Sequence, residues 1–146
     1  MVIVTKAATN LGVQYQERQV PRANGRKRRW PHELDRVRQA LPAHLLDPPP
    51  VWPGSWLLVA TSDKRPIGYL WAQVLQTELV YVEEVAVLPE RQGLGVGTGL
   101  LVEFRRRLHR TGGGCKELMM FPIFEREGWV RRAGFTRLPD SYRALC

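Results

Sequence analysis

Gln92-Gly93-Leu94-Gly95-Val96-Gly97-Thr98 lies between an apolar run, Val85-Ala86-Val87-Leu88-Pro89, and a helix-like segment from Gly99 to His109. A strand that turns through glycines into a helix start gathers unpaired backbone N–H groups around a small hollow. The helix dipole adds positive potential there, so the hollow suits an anion. Closely spaced glycines let phosphate oxygens approach the backbone without meeting a Cβ. The stretch reads as a pyrophosphate cradle, and its spacing discriminates among three kinds of loop.

A P-loop requires Gly-x-x-x-x-Gly-Lys-Ser/Thr, and the chain has no Gly-Lys pair. A dinucleotide fingerprint requires Gly-x-Gly-x-x-Gly early in a βαβ unit. Counted from Gly93 its sixth place falls on Thr98, and from Gly95 on Leu100, so both registers fail. The third pattern, Gln/Arg-x-x-Gly-x-Gly/Ala, is filled by Gln92, Gly95 and Gly97. This resembles the coenzyme A loop of the GNAT acetyltransferases. The resemblance continues upstream through Val85-Ala86-Val87-Leu88-Pro89-Glu90 and downstream through Thr98-Gly99-Leu100-Leu101. Gly128-Trp129-Val130-Arg131-Arg132-Ala133-Gly134-Phe135 is similar to the family's second helix, which closes on a Gly-Phe step. In all it covers Trp56 to Phe135.

The resemblance implies an α/β fold, a mixed and mostly antiparallel central sheet with helices on both faces. It divides one acetyltransferase domain, residues 1–146, into a variable substrate-side region, 1–55, and an acetyl-CoA-binding core, 56–135. It implies acetyl-CoA as cosubstrate, no metal, and an amine-bearing acceptor, either a small molecule or a polypeptide. The central strand is expected to splay from its neighbour after a bulge, so that the pantetheine arm pairs with the backbone of Val85, Ala86 and Val87. The Val85 N–H then donates to the thioester carbonyl. Gln92, Gly93, Leu94, Gly95, Val96, Gly97 and Thr98 hold the pyrophosphate.

Acyl transfer to an amine also needs a proton acceptor and a proton source for the leaving thiolate. Glu83 and Glu84 both fall in the central strand, where carboxylates are unexpected on burial grounds. Strand neighbours face opposite ways, so only one is expected to reach the thioester. Related sequences often carry an acidic residue at the Glu84 position, which makes Glu84 the first choice of base and Glu83 the second. A salt bridge from Glu84 to an arginine on a covering helix is the competing arrangement. The family's usual acid is a tyrosine four residues before the Gly of the Gly-Phe step. Here that position is Val130, preceded by Trp129, and neither protonates sulfur. Tyr142, Tyr81, water or the amine itself remain as sources.

Periodicity supplies the other elements. A first strand is expected within residues 1–9, and the polar stretch 10–30, ending in Arg26-Lys27-Arg28-Arg29, reads as loop or helix flank. Leu34, Val37, Leu41 and Leu45 recur at helical steps from Pro31 to Leu46, and Asp47-Pro48-Pro49-Pro50 forms a stiff link. Trp56–Ala60 and Ile67–Leu75 read as a hairpin about Ser62–Pro66, and Glu78–Leu88 as a strand buried on both faces. Leu118–Phe121 is a further strand, Glu125–Ala133 a short helix, and the tail from Phe135 returns as strand.

The net charge of +8 is uneven. Residues 1–50 hold nine Lys/Arg against four Asp/Glu, residues 51–100 three against five, and residues 101–146 ten against five. Basic segments thus flank a mildly acidic middle. A polyanionic cofactor uses some of this charge, and nucleic acid is a candidate partner for the rest. Aromatic-interleaved nucleic-acid motifs are absent, so a solvated, arginine-rich surface serves as well. Cys115 and Cys146 make no metal spacing with His32, His44 or His109. No apolar stretch approaches membrane-helix length, which gives an expected cytoplasmic location, no membrane partner, and a monomer or homodimer. Two functions follow: an acetyl-CoA-dependent N-acetyltransferase, or a coenzyme A-binding or nucleic-acid-associated module with impaired catalysis.

Overall fold

A computed structural model describes residues 12–19, 31–39, 41, 55–76, 79–110, 117–120, 127–137 and 141–145. Its strands are β1 (Val13–Gln19), β2 (Ser55–Ser62), β3 (Arg65–Gln76), β4 (Leu79–Val87), β5 (Glu117–Met120), β6 (Thr136–Arg137) and β7 (Tyr142–Leu145). Its helices are α1 (Asp35–Arg38), entered through a 3-10 turn at His32–Leu34, α2 (Val96–Arg110) and α3 (Glu127–Arg132). The strands form one sheet in the order β1-β2-β3-β4-β5-β7-β6. Neighbours are antiparallel except β4 and β5, which run parallel. The expected mixed, mostly antiparallel sheet is the one observed.

Two long apolar runs joined by Ser62-Asp63-Lys64-Arg65 make the β2–β3 hairpin. Asp63 and Lys64 both take positive φ, 49° and 62°, as the right-handed twist of a two-residue hairpin demands. Residues paired across strands share a face of the sheet. Gly68, Leu70 and Ala72 of β3 stand opposite Ala60, Leu58 and Trp56 of β2 and Val87, Val85 and Val82 of β4. This face is covered by α2. A Cβ on Gly68 would lie 3.3 Å from Val96 Cγ1 and 3.4 Å from Leu100 Cδ1. Trp56 meets Phe104 edge to face at 6.1 Å between ring centres.

The opposite face carries Leu57, Val59, Tyr69, Trp71, Glu84 and Ala86, and the segment containing Leu34, Val37 and Arg38 packs there. Each fully buried Leu or Phe in these two layers contributes about 1.5–3 kcal/mol through removal from water. Leu100, Leu101, Phe104 and Leu108 form the buried stripe of α2. Arg106 and Arg107 flank it and bind Glu103, while Arg107 also donates to the Tyr15 carbonyl at 2.9 Å. The edge strand β1 is thereby clasped to α2, and the Tyr15 hydroxyl packs on Gly99 where a Cβ would overlap it.

Several expectations are corrected. The stretch read as loop contains β1. Only Val13 and Tyr15 alternate as apolar residues there, because an edge strand in which Glu17 and Arg18 pair with Arg107 and Glu33 needs little else. The α2 helix starts at Val96, not Gly99, since Val96 is buried and the first helical rung is the Gly99 amide on the Gly95 carbonyl at 2.8 Å. Strand β4 is not evenly buried. Its residues alternate between buried and half-buried along its whole length. The expected strand in 1–9, the Arg26–Arg29 run, the helix beyond Leu41, the proline link, His44, Trp30, Trp52, both cysteines and the Tyr142 side chain lie outside the described residues.

Candidate active site

The site is built on the second half of β4. Among the described residues, parallel pairing with β5 runs from Leu79–Glu117 to Val82–Met120, and β4 continues to Val87. Among the described residues, 83–87 therefore have a partner strand on the β3 side only. The direction of each backbone group follows from one bond. The Leu88 amide donates to the Ile67 carbonyl at 2.9 Å. Hydrogen-bonded positions alternate in an antiparallel ladder, so Ala86 turns its N–H and C=O toward β3, and Val85 and Val87 turn theirs to the open edge. The Val87 carbonyl fits this geometry, accepting the Gln92 Nε2 donor at 3.0 Å. The Val85 N–H faces the same gap.

Gln92 through Thr98 leads from that edge into α2. Gly93 and Gly95 have φ of 78° and 85°, and a Cβ on either would touch nothing within 4 Å. The amides of residues 93–98 have no hydrogen-bond acceptor among the described residues. Left-handed glycines beside a helix start thus present a row of free donors on open backbone, which fits a diphosphate group. Gly97 packs on Trp129, whose ring would lie 3.4 Å from a Cβ there, so α3 walls the loop on that side.

The two carboxylates occupy a bulge. Trp71 pairs with Glu84, but the next β3 residue, Ala72, pairs with Val82, and Glu83 is the extra residue. Glu84 stands opposite Trp71, and Glu83 lies outside the β3 ladder. Burial and the Glu84 charge raise the Glu83 carboxyl above the usual range. Burial, then the Glu83 charge, pushes the Tyr81 hydroxyl up to about 12. Glu83 has no hydrogen-bond or ion-pair partner among the described residues.

Glu84 is held on all sides. Arg38 Nη1 donates to Oε2 at 2.7 Å and to Oε1 at 3.0 Å, and the Tyr69 hydroxyl donates to Oε2 at 2.8 Å. The Arg38 and Glu84 side chains are 5% and 10% exposed. This is the ion pair to a covering helix that competed with a base role for Glu84. Tyr69 is held well above the ordinary phenol range by burial, then by the Glu84 charge.

A sequence model of the Acetyltransferase (GNAT) family matches residues 15–126. The chain belongs to the GNAT acetyltransferase family. No curated protein matches it in sequence. Three solved structures share the GNAT fold with it. One is a protein from Desulfovibrio desulfuricans described as a GNAT-family acetyltransferase, 19% identical, with a TM-score of 0.68 over 91% of this chain and 98% of that one. The ribosomal-protein-S18-alanine N-acetyltransferase of Escherichia coli is 12% identical, with a TM-score of 0.67 over 90% and 94%. A GNAT family acetyltransferase from Elizabethkingia anophelis, solved with acetyl-CoA bound, is 15% identical, with a TM-score of 0.64 over 92% and 99%.

In this GNAT chain the position expected of the acid, Val130, is a buried residue of α3. Its carbonyl accepts the Ala133 and Phe135 amides at 3.1 and 3.3 Å, closing the helix through Gly134 at φ 93°. Arg105 of α2 donates to the Ala133 carbonyl at 2.7 Å and so ties α3 to the helix that carries the glycine loop. Sequence reasoning passed over Arg38 and Tyr69. Arg38 was legible in part: it stands four residues after Leu34 and three before Leu41, a charged residue on the apolar stripe of its own helix. Among the described residues, no helix is long and apolar enough to cross a membrane.

Proposed function

We propose that this chain transfers the acetyl group of acetyl-CoA to an amine by direct attack within a ternary complex. The observation that carries the reading is the stretch of β4 beyond Val82, which among the described residues pairs on its β3 side only, with the Val85 N–H turned away from β3 and amides of residues 93–98 that have no acceptor among the described residues beyond its end. Acetyl-CoA supplies an acyl group on a good leaving group, a thiolate. The amides of Gly93, Leu94, Gly95, Val96, Gly97 and Thr98 hold its diphosphate, and Val85, Ala86 and Val87 lie alongside its pantetheine. Gln92 braces the loop on the Val87 carbonyl. The Val85 N–H donates to the thioester oxygen, where negative charge grows as the amine attacks.

Glu83 is the proton acceptor of this reading, in place of Glu84. Its carboxylate has no bonded partner among the described residues, and its raised pKa brings it closer to the operating range of a base. The amine nitrogen forms a bond to the acetyl carbon, the carbon–sulfur bond breaks, and the electron pair leaves with sulfur. The amine proton passes to Glu83, directly or through water. With valine at position 130, the thiolate takes its proton from water or from the amine. No cysteine adjoins the loop, which favours direct attack over an acyl-enzyme.

Thiol release from acetyl-CoA, followed across a panel of amines, tests the reading. At least one amine is expected to accelerate release, and Glu83→Gln to slow it by roughly 10²–10⁴-fold. No calorimetric heat for coenzyme A at millimolar ligand, or binding without release across the panel, overturns it.

A further inference from the structure

We propose that Arg38 is a positioning residue for acyl transfer: by gripping Glu84, it fixes the bulge in β4 and leaves Glu83 as the carboxylate available to the acceptor amine. The inference rests on the reading of Glu83 given above and deepens it.

Two adjacent carboxylates, Glu84 paired with Trp71 and Glu83 outside the ladder, compete for one role. Their partners separate them. Glu84 has both oxygens on the Arg38 guanidinium and one also on the Tyr69 hydroxyl. A buried carboxylate so engaged has its oxygens turned to the guanidinium and the hydroxyl rather than toward a substrate. Glu83, one residue earlier and outside the β3 ladder, has no such grip among the described residues. The fixed negative charge of Glu84 then acts on Glu83 as a like charge beside it and raises its proton affinity. The arginine reaches across from α1, so the helix on the acceptor side and the strand of the thioester side are locked by one ion pair. Among the described residues, the charged and titratable groups near the bulge are Glu84 and Tyr81 on the same strand, with Arg38 from α1 and Tyr69 from β3 bonded to Glu84. On the β5 side, Glu117 is paired with Arg143 at 3.0 Å.

The test follows the Glu83 carboxyl by carbon NMR titration, alongside the pH profile of kcat/KM. In Glu84→Gln the Glu83 midpoint is expected to fall as the neighbouring charge is lost, and the acidic limb of kcat/KM moves with it. The double variant Arg38→Met, Glu84→Met removes the ion pair without leaving a buried lone charge, which protects folding. It is expected to show the same lowered midpoint, coenzyme A binding within twofold of wild type, and kcat down roughly ten- to a hundredfold through misplacement of Glu83. Arg38→Lys, which keeps the positive charge, keeps the Glu83 midpoint near wild type. A Glu83 midpoint unmoved in both Glu84→Gln and the double variant overturns the proposal. The underlying reading fails separately: if Glu83→Gln turns over at full rate, Glu83 is not the acceptor, whatever the titration gives.

Discussion

Replacing Gly95 by alanine separates the cost of backbone strain from the cost of a blocked anion site. Gly95 has φ 85°, and the added Cβ would meet nothing within 4 Å in the protein. The folded chain therefore bears only the left-handed penalty of about 1–2 kcal/mol. For a domain of this size that lowers Tm by roughly 3–6 °C. The methyl group would, however, stand on the open backbone where phosphate oxygens approach. Loss of one charge-assisted amide–phosphate bond at about 1.5–3 kcal/mol weakens coenzyme A binding by roughly ten- to a hundredfold. Gly12 supplies the control. It has φ 66°, is equally free of neighbours, and lies at the start of β1, three strands from β4. Gly12→Ala is expected to lower Tm by a similar amount and leave the affinity unchanged. Thermal unfolding and titration calorimetry on the two variants read both effects. If Gly95→Ala binds coenzyme A within twofold of wild type while losing the same stability as Gly12→Ala, the loop does not hold the diphosphate and the site is misread.

Gly99→Ala should destabilise the fold by about 1–3 kcal/mol through overlap with the Tyr15 hydroxyl. Adding Tyr15→Phe should return part of that, a coupling that urea unfolding of the four-member cycle measures. Glu103 is partly buried; burial raises its carboxyl, but hydrogen bonds and charge from Arg106 and Arg107 outweigh that and hold it below the usual range. A depressed folded-state pKa gives stability that is present above the unfolded value and lost as pH falls through the folded one. Glu103→Gln should therefore lower Tm at pH 7 and converge on wild type in acid. Glu83 has the opposite sign. Its folded-state pKa is raised, so its ionised form costs stability at neutral pH, and Glu83→Gln should raise Tm at pH 7, with the gain vanishing as pH falls below the unfolded carboxyl range.

The glycine loop and the strand before it were readable because their function depends on residue type at fixed spacing: only glycine tolerates the φ values found at 93 and 95. Strand β1 was not, because an edge strand clasped by long charged side chains needs few apolar residues. The bulge was hidden for a different reason. Val80 to Val87 alternates buried and half-buried residues without interruption, so nothing in the letters marks the register slip at Glu83. Only the pairing with Trp71 and Ala72 reveals it. Arg38 was visible as a misfit on an apolar stripe, but its partner lies 46 residues away across the sheet, beyond what spacing reports.

A sheet normally has two rims, and among the described residues this one has a third inside it. Past Val82, β4 there pairs on its β3 side only, which leaves a short notch lined by strand backbone. Main-chain groups without partners can template another strand, which is how sheets begin to polymerise. The notch is short, it opens at a bulge, and a carboxylate stands at its mouth, three features that discourage a foreign chain from zipping in. A slender ligand with amides of its own is not discouraged in the same way. A guest that filled the notch would complete the sheet and steady the molecule in proportion to its concentration.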